Sequence, residues 1–295
     1  MLKNICIISI VILILSACEL NQSVHKDFIT GAYSKGDGIV CNDVKIKING
    51  KVENRNSFVY GEKVSFIFNE IHGLTKIDGK VYPKLSMCVM KNEQDTVLYN
   101  ANVIGDSQGG TDLSSLQLEG HFICTLPYES NEMYKIYVTM SDEKGDGHFT
   151  YELPFSVKEN DKKVLQINSS DLTYSDIFLW NETKKQIVID GTIDTENTLI
   201  LGLEEIDGLE IVKGKIYPVF SIHITDNKGN KILSEPNLLS EYQNSGIEYN
   251  TSKNSLHFEI TVSPEEINNP YKLEASLNDL NSDRRIDIEG NLEVQ

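Results

Sequence analysis

Positive charge is the first thing this sequence lacks: 27 Lys and Arg stand against 44 Asp and Glu, a formal net charge of −17. Nucleic acid is bound through a basic footprint on its phosphates, so it is excluded as a partner. Adhesion to anionic lipid by charge alone is disfavoured for the same reason. Long apolar runs are scarce too. After residue 15 nothing approaches the ~20 apolar residues that a membrane-spanning helix needs. Helical periodicity is nearly missing; at most, Ser263-Pro264-Glu265-Glu266-Ile267 predicts a single turn, with serine capping and proline at the first helical position. Tryptophan occurs once, at Trp180, and no cysteine follows Cys124. The C-terminal half therefore needs no disulfide to fold. Cys41, Cys88 and Cys124 allow one bridge at most in an oxidising compartment, with a thiol to spare.

What is present begins with an address. Lys3 supplies a positive start, residues 5–15 are apolar apart from Ser9, and Leu15-Ser16-Ala17-Cys18 matches a bacterial lipobox. The expectation is a signal peptide over residues 1–17, with the thiol of Cys18 carrying a diacylglyceryl group and tying the mature chain to a membrane. Removal of Lys3 with the leader takes the mature charge to about −18. In a Gram-negative cell, Glu19 is not the aspartate that holds lipoproteins in the inner membrane, so the outer membrane is expected. Periplasmic face and cell surface both stay open.

The centre of the sequence is a stretch that occurs twice. Glu70-Ile71-His72-Gly73-Leu74 runs on to Gly79-Lys80-Val81-Tyr82-Pro83, and Glu205-Ile206-Asp207-Gly208-Leu209 runs on to Gly214-Lys215-Ile216-Tyr217-Pro218, with eight of fourteen positions identical. The match continues on both sides. Val64, Phe66 and Phe68 alternate like Leu199, Leu201 and Leu203, and Leu85, Met87 and Val89 like Phe220, Ile222 and Ile224, which is the period of half-buried strands. Downstream, His121-Phe122 matches His257-Phe258 and Tyr134-Lys135 matches Tyr271-Lys272. Upstream, Ile46-Lys47-Ile48-Asn49-Gly50 aligns with Ile187-Val188-Ile189-Asp190-Gly191, which implies extra residues in the first copy.

Charged residues interrupt the strands at 158–164, the expected linker. The layout is then a polar tether over 18–35, a first domain over 36–157 and a second over 165–295. Strands at this spacing, joined by turns such as Asn49-Gly50 and Asp226-Asn227-Lys228-Gly229-Asn230, predict an all-β chain of two tandem antiparallel β-sandwiches. Lipobox and duplicated sandwich together resemble the tandem immunoglobulin-like lipoproteins of Gram-negative gut bacteria. That resemblance implies an architecture and a location, and it departs from the Cys…Trp…Cys framework of antibody domains.

Chemistry is hard to find. Gly105-Asp106-Ser107-Gln108-Gly109-Gly110 resembles a serine-protease nucleophile loop, but Gln108 breaks the spacing and no triad partners accompany it. Asp142-Glu143-Lys144-Gly145-Asp146-Gly147 resembles the start of a calcium loop, yet Lys144 stands where an oxygen ligand belongs and Leu153 where a glutamate should close it. Both this loop and its counterpart at Asp279, Asn281 and Asp283 are expected as exposed hairpin tips. His25, His72, His121, His148, His223 and His257 show no metal-binding spacing. No metal, cofactor or catalytic residue is expected.

The repeated residues Glu70, Gly73, Gly79, Tyr82 and Pro83, with Glu205, Gly208, Gly214, Tyr217 and Pro218, read as a structural corner. Glycine supplies special backbone angles, proline opens a strand, tyrosine buries a ring and bonds its hydroxyl, and glutamate accepts loop amides. The expected function is a lipid-anchored envelope module that binds a protein or glycan through end loops at 105–112 and 241–248 or at the domain junction. A hydrolase of envelope or dietary polymers and a plain spacer are the alternatives.

Overall fold

In the computed structural model, the described residues are 22–105, 109–113, 115–125, 132–249, 255–264 and 266–295. The first half contains β1 (Gln22–Lys26), β2 (Tyr33–Asp37), β3 (Val40–Ile48), β4 (Lys51–Val52), β5 (Ser57–Val59), β6 (Lys63–His72), β7 (Pro83–Lys91), β8 (Asp95–Asn100), β9 (Leu116–Ile123), β10 (Met133–Asp142) and β11 (His148–Lys158). The second half contains β12 (Leu165–Ser170), β13 (Asp176–Asn181), β14 (Gln186–Ile187), β15 (Thr192–Ile193), β16 (Thr198–Glu204), β17 (Lys215–Ile216), β18 (Pro218–Thr225), β19 (Lys231–Glu235), β20 (Ile247–Glu248), β21 (Leu256–Thr261), β22 (Tyr271–Asp279) and β23 (Arg285–Val294). The chain is all-β, built of antiparallel sheets in the manner of a β-sandwich.

The two halves repeat one strand order. One sheet runs β1-β2-β11-β10-β7-β8 in the first half and β12-β23-β22-β18-β19 in the second. Facing it are β4-β3-β6-β9 and β14-β13-β16-β21. Even the short parallel pairings recur, β5 on β11 and β15 on β23. Each half closes around its own apolar cluster. Phe66, Phe68 and Phe122 meet Phe149, Tyr151 and Phe155 in the first, while Leu199, Leu201 and Leu203 meet Ile222, Ile224 and Ile288 in the second.

Four expectations change. The stretch read as a tether carries β1 and β2, which ladder onto β11, and Thr30 and Ala32 are buried. These strands are held by backbone pairing at a sheet edge, so their sequence shows little apolar alternation. The first half therefore begins before Gly36. The upstream alignment also shifts: Ile46 in β3 lies opposite Phe66, and the residue in the same place opposite Leu201 is Leu179 in β13, whereas Ile187 belongs to β14. The Ile-x-Ile-Asn/Asp-Gly likeness is coincidental, and the first copy has no extra residues there. Ser263, Pro264 and Glu266 are not helical, and a 3-10 turn lies instead at Ser240–Tyr242. Lastly, Asp142 and Asp279 are not exposed tip residues but are buried.

Candidate functional site

The repeated stretch does build the same corner twice, by means the sequence only partly reveals. Glu70 and Glu205 leave β6 and β16 at φ 52° and 50°, and Gly73 and Gly208 follow at 90° and 97°. A Cβ on Gly73 would sit 1.9 Å from the carbonyl oxygen of Gly38, and one on Gly208 would sit 2.7 Å from that of Asp171. Glycine is thus required by both angle and space. The chain then turns tightly through Asp78-Gly79 and Lys213-Gly214, all four at positive φ, so that Ile77 pairs with Lys80 and Val212 with Lys215. Pro83 and Pro218 are buried first residues of β7 and β18, where a missing N–H costs no ladder bond.

The acids that hold this loop come from another hairpin. Asp142, at the end of β10, accepts the amide N–H of Thr75 at 2.6 Å and of Lys144 at 3.0 Å. Asp279, at the end of β22, accepts those of Glu210 at 2.8 Å and Asn281 at 3.2 Å. Burial alone would raise the Asp142 carboxyl, but the amide donors outweigh it and hold the group below its ordinary 3.8. Glu70 and Glu205 do not take the amide role among the described residues: both are exposed, and Glu70 accepts there from the Asn42 side chain at 3.0 Å. Tyr82 and Tyr217 are half-buried, with no hydroxyl bond among the described residues. Their rings lie against Gly110 and Gly246, and their carbonyls accept the N–H of Glu143 and Leu280 at 2.9 and 3.0 Å.

The end loops are drawn into the same corner. Lys80 Nζ donates to the carbonyl of Gly109 at 2.9 Å, and Lys215 Nζ to that of Ser245 at 2.8 Å. Asp106, Ser107 and Gln108 lie outside the described residues, as does Cys18. His72, His121 and His257 are exposed, and His257 pairs with Glu204 at 2.7 Å. Cys41, Cys88 and Cys124 are free thiols. Burial pushes the Cys41 thiol up to about 11 and raises that of Cys124 further, which keeps both protonated and unreactive. Among the described residues, no group of three or more His, Cys, Asp or Glu is placed to hold a metal ion, and no helix is long and apolar enough to cross a membrane.

A second region, where the halves meet, occurs once. The turn from Val59 to Glu62 is fixed by the Glu62 carboxylate, which accepts the Val59 amide at 2.7 Å and pairs with Arg55 at 2.6 Å. At its tip the Tyr60 hydroxyl donates to Asp176 at 2.6 Å, and Gly61 approaches so closely that a Cβ would fall 2.5 Å from Ile189 Cγ2. Burial raises the Asp176 carboxyl, and the charge of Glu204 adds to this, against the Tyr60 and Ile177 hydrogen bonds. The Asn160 side chain donates to the carbonyl of Ile189 at 2.9 Å, so the linker too is pinned to the second half.

Beside this contact runs a cleft whose first-half wall includes Ile48, Asn49 and Lys51, and whose second-half wall includes Asn181, Gln186 and Ile187. Asn181 is only 2% exposed. Its Oδ1 accepts the Lys184 amide at 2.8 Å, but its Nδ2 has no hydrogen-bond partner among the described residues. Sequence reading missed Asn181 because it occupies the apolar parity of a buried strand, where an amide breaks the pattern of Ile177 and Leu179. That break was the available signal.

No family model and no curated relative matches this chain. Among solved structures it is similar to one described as pT26-6p, at 10% identity and a TM-score of 0.22, over 92% of this chain and 65% of that chain. A likeness at that TM-score carries no argument about fold or function.

Proposed function

We propose that this chain is a lipid-anchored outer-membrane protein of two β-sandwich domains, and that the cleft at their junction binds a polar ligand, glycan or peptide, without catalysing a reaction. The membrane attachment rests on the lipobox ending at Cys18. The observation that carries the binding site is the Asn181 Nδ2, a donor on a side chain fixed by the Lys184 amide, which opens on the cleft and makes no bond to another described residue, so a ligand acceptor can take it. Asn49, Lys51 and Gln186 add polar groups above an apolar floor of Ile48, Ile187 and Ile189, the mixture usual in ligand sites.

Binding is favoured over hydrolysis because the cleft's two acids are engaged. Glu53 pairs with Arg55 at 2.6 Å, and Asp190 accepts the Thr192 amide at 3.0 Å. The test is a glycan and peptide array with the full chain, its Asn181→Asp variant, which keeps the acceptor for Lys184 and removes the donor, and Gln186→Leu. Loss of tenfold or more in affinity with an unchanged melting point supports the site; binding indifferent to both changes overturns it. Labelled fatty acid incorporated by the wild type and absent from Cys18→Ala would support the anchor, and equal labelling would remove it.

A further inference from the structure

We propose that the outer face of the first half's larger sheet binds an extended acidic glycan, whose sugar rings stack on Tyr33, Tyr137 and Tyr99. The strand registers put these residues in one row across the sheet: Lys26, Tyr33, Glu152, Tyr137, Cys88 and Tyr99 stand opposite one another in turn from β1 to β8. Opposed residues share a face. It is the outer face, because the alternate positions Tyr151, Leu153, Ile136 and Val138 are buried in the core. Tyr99 is 69% exposed, and Tyr33 and Tyr137 are half-buried. The tyrosines fall on every second strand, about 10 Å apart, so the row spans about 19 Å.

The second half supplies a control. Its matching row, on the same strand order, reads Gln166, Glu289, Glu274, His223 and Ser234. Glu289 is the counterpart of Glu152, but polar residues stand in place of all three tyrosines. The sheet therefore forms without aromatic residues here, and folding does not account for them. Charge differs as well. In the first half, Lys26 ends the row, and Lys35 and Lys135 lie two residues from Tyr33 and Tyr137 on the same face; the acid among them, Glu152, is paired with Lys135 at 2.6 Å. In the second half, Asn168 takes the place of Lys35, and Glu274, Asp287 and Glu289 stand against Lys272 and Lys231.

Rings and charge together select the ligand. A tyrosine ring stacks on the apolar C–H face of a sugar while its hydroxyl stays available to polar groups, and the hydroxyls of Tyr33 and Tyr99 bond to no described residue. The Lys135 ammonium lies 5.0 Å from the Tyr137 ring centroid, which leaves the other face of that ring to a sugar. Even spacing on an open sheet suits a repeating chain better than a compact ligand. A local excess of lysine on a chain of net charge −17 is complementary to carboxylates on that chain. Nucleic acid also stacks on aromatic rings, but it carries a charge every ~3.4 Å along each strand and is repelled by the molecule as a whole. The face shares no residue with the junction cleft and does not rest on it.

The experiment is isothermal titration of the full chain, in uncharged detergent, with polygalacturonate, alginate and hyaluronate, each beside its methyl ester. At least one acid polymer should bind, and its ester should bind about tenfold more weakly. Tyr33→Gln with Tyr99→Ser installs the second half's own residues without a change of charge, and should weaken binding about 30-fold with the melting point unchanged. Lys35→Asn should weaken the acid about fivefold and leave the ester unaffected. Asn181→Asp should alter none of these values. Oligosaccharides and peptides too short to span the row report on the cleft instead, so the two sites fail separately. No binding of any of these polymers at about 1 mM, equal affinity for acid and ester, indifference to the tyrosine pair, or tighter binding of oligo-dT or anionic lipid vesicles than of the polymers would overturn the proposal.

Discussion

The repeated corner and the junction are opposite kinds of construction. The corner is built twice from matching residues that perform the same acts: Asp142 and Asp279 hold loop amides, Lys80 and Lys215 hold a loop carbonyl, and Gly73 and Gly208 pass close under a backbone. Its described polar groups are mostly engaged with the chain itself. The junction is built once, and it leaves the Asn181 Nδ2 open to the cleft with no partner among the described residues. What the two halves share is scaffold; the place with bonding capacity to offer lies where they meet. The most closely matched stretch in the sequence is for that reason a poor guide to the ligand.

The largest effect expected of any single change should separate the two copies of the corner. Gly73→Ala combines a left-handed angle with a Cβ 1.9 Å from a backbone oxygen, and should cost about 3 kcal/mol by chemical denaturation. Gly208→Ala, at 2.7 Å, should cost less. Equal costs would mean that space is not what these glycines provide. At the junction, Gly61→Ala adds a methyl against Ile189 as well as strain at φ 92°, and should cost about 2 kcal/mol while lowering the cooperativity of melting as the halves uncouple.

Removing charge from the acids sharpens the contrast. Asp142→Asn weakens charge-assisted amide bonds and should cost about 1–2 kcal/mol at neutral pH. The Asp142 carboxyl is depressed in the folded state, so the stability it contributes is present at neutral pH and lost as pH falls through its folded value, below 3.8. The difference between wild type and Asp142→Asn should therefore vanish in acid. Asp176 behaves the other way. Its carboxyl is raised, so the stability linked to its proton is present at low pH and lost as pH rises through the folded value. Asp176→Asn keeps an acceptor for Tyr60 and removes a half-buried charge beside Glu204. It should leave the neutral-pH unfolding free energy within about 0.5 kcal/mol of the wild type or raise it.

Much of the fold was legible in the sequence because its signals are local. Alternation at Val64, Phe66 and Phe68, or at Phe220, Ile222 and Ile224, marks a strand with one buried face wherever that strand pairs. The edge strands were not legible, since Tyr33–Asp37 and Gln22–Lys26 are held by a backbone ladder that places little demand on side chains. The corner was legible in its glycines and prolines and not in its acids. Asp142 lies far along the chain from Thr75, and only the pairing of β10 with β7 brings the two together. The junction left even less trace: Gly61 and Ile189 look like ordinary turn and strand residues until the halves meet.

The most direct test sets corner against junction in one binding experiment. On a shared array of glycans and peptides, the full-length wild type, Asn181→Asp and Lys215→Ala should be compared at equal folded concentration. The account predicts that Asn181→Asp loses the wild-type signal while Lys215→Ala retains it. Loss with Lys215→Ala and retention with Asn181→Asp would place the ligand on the repeated corner and contradict the account.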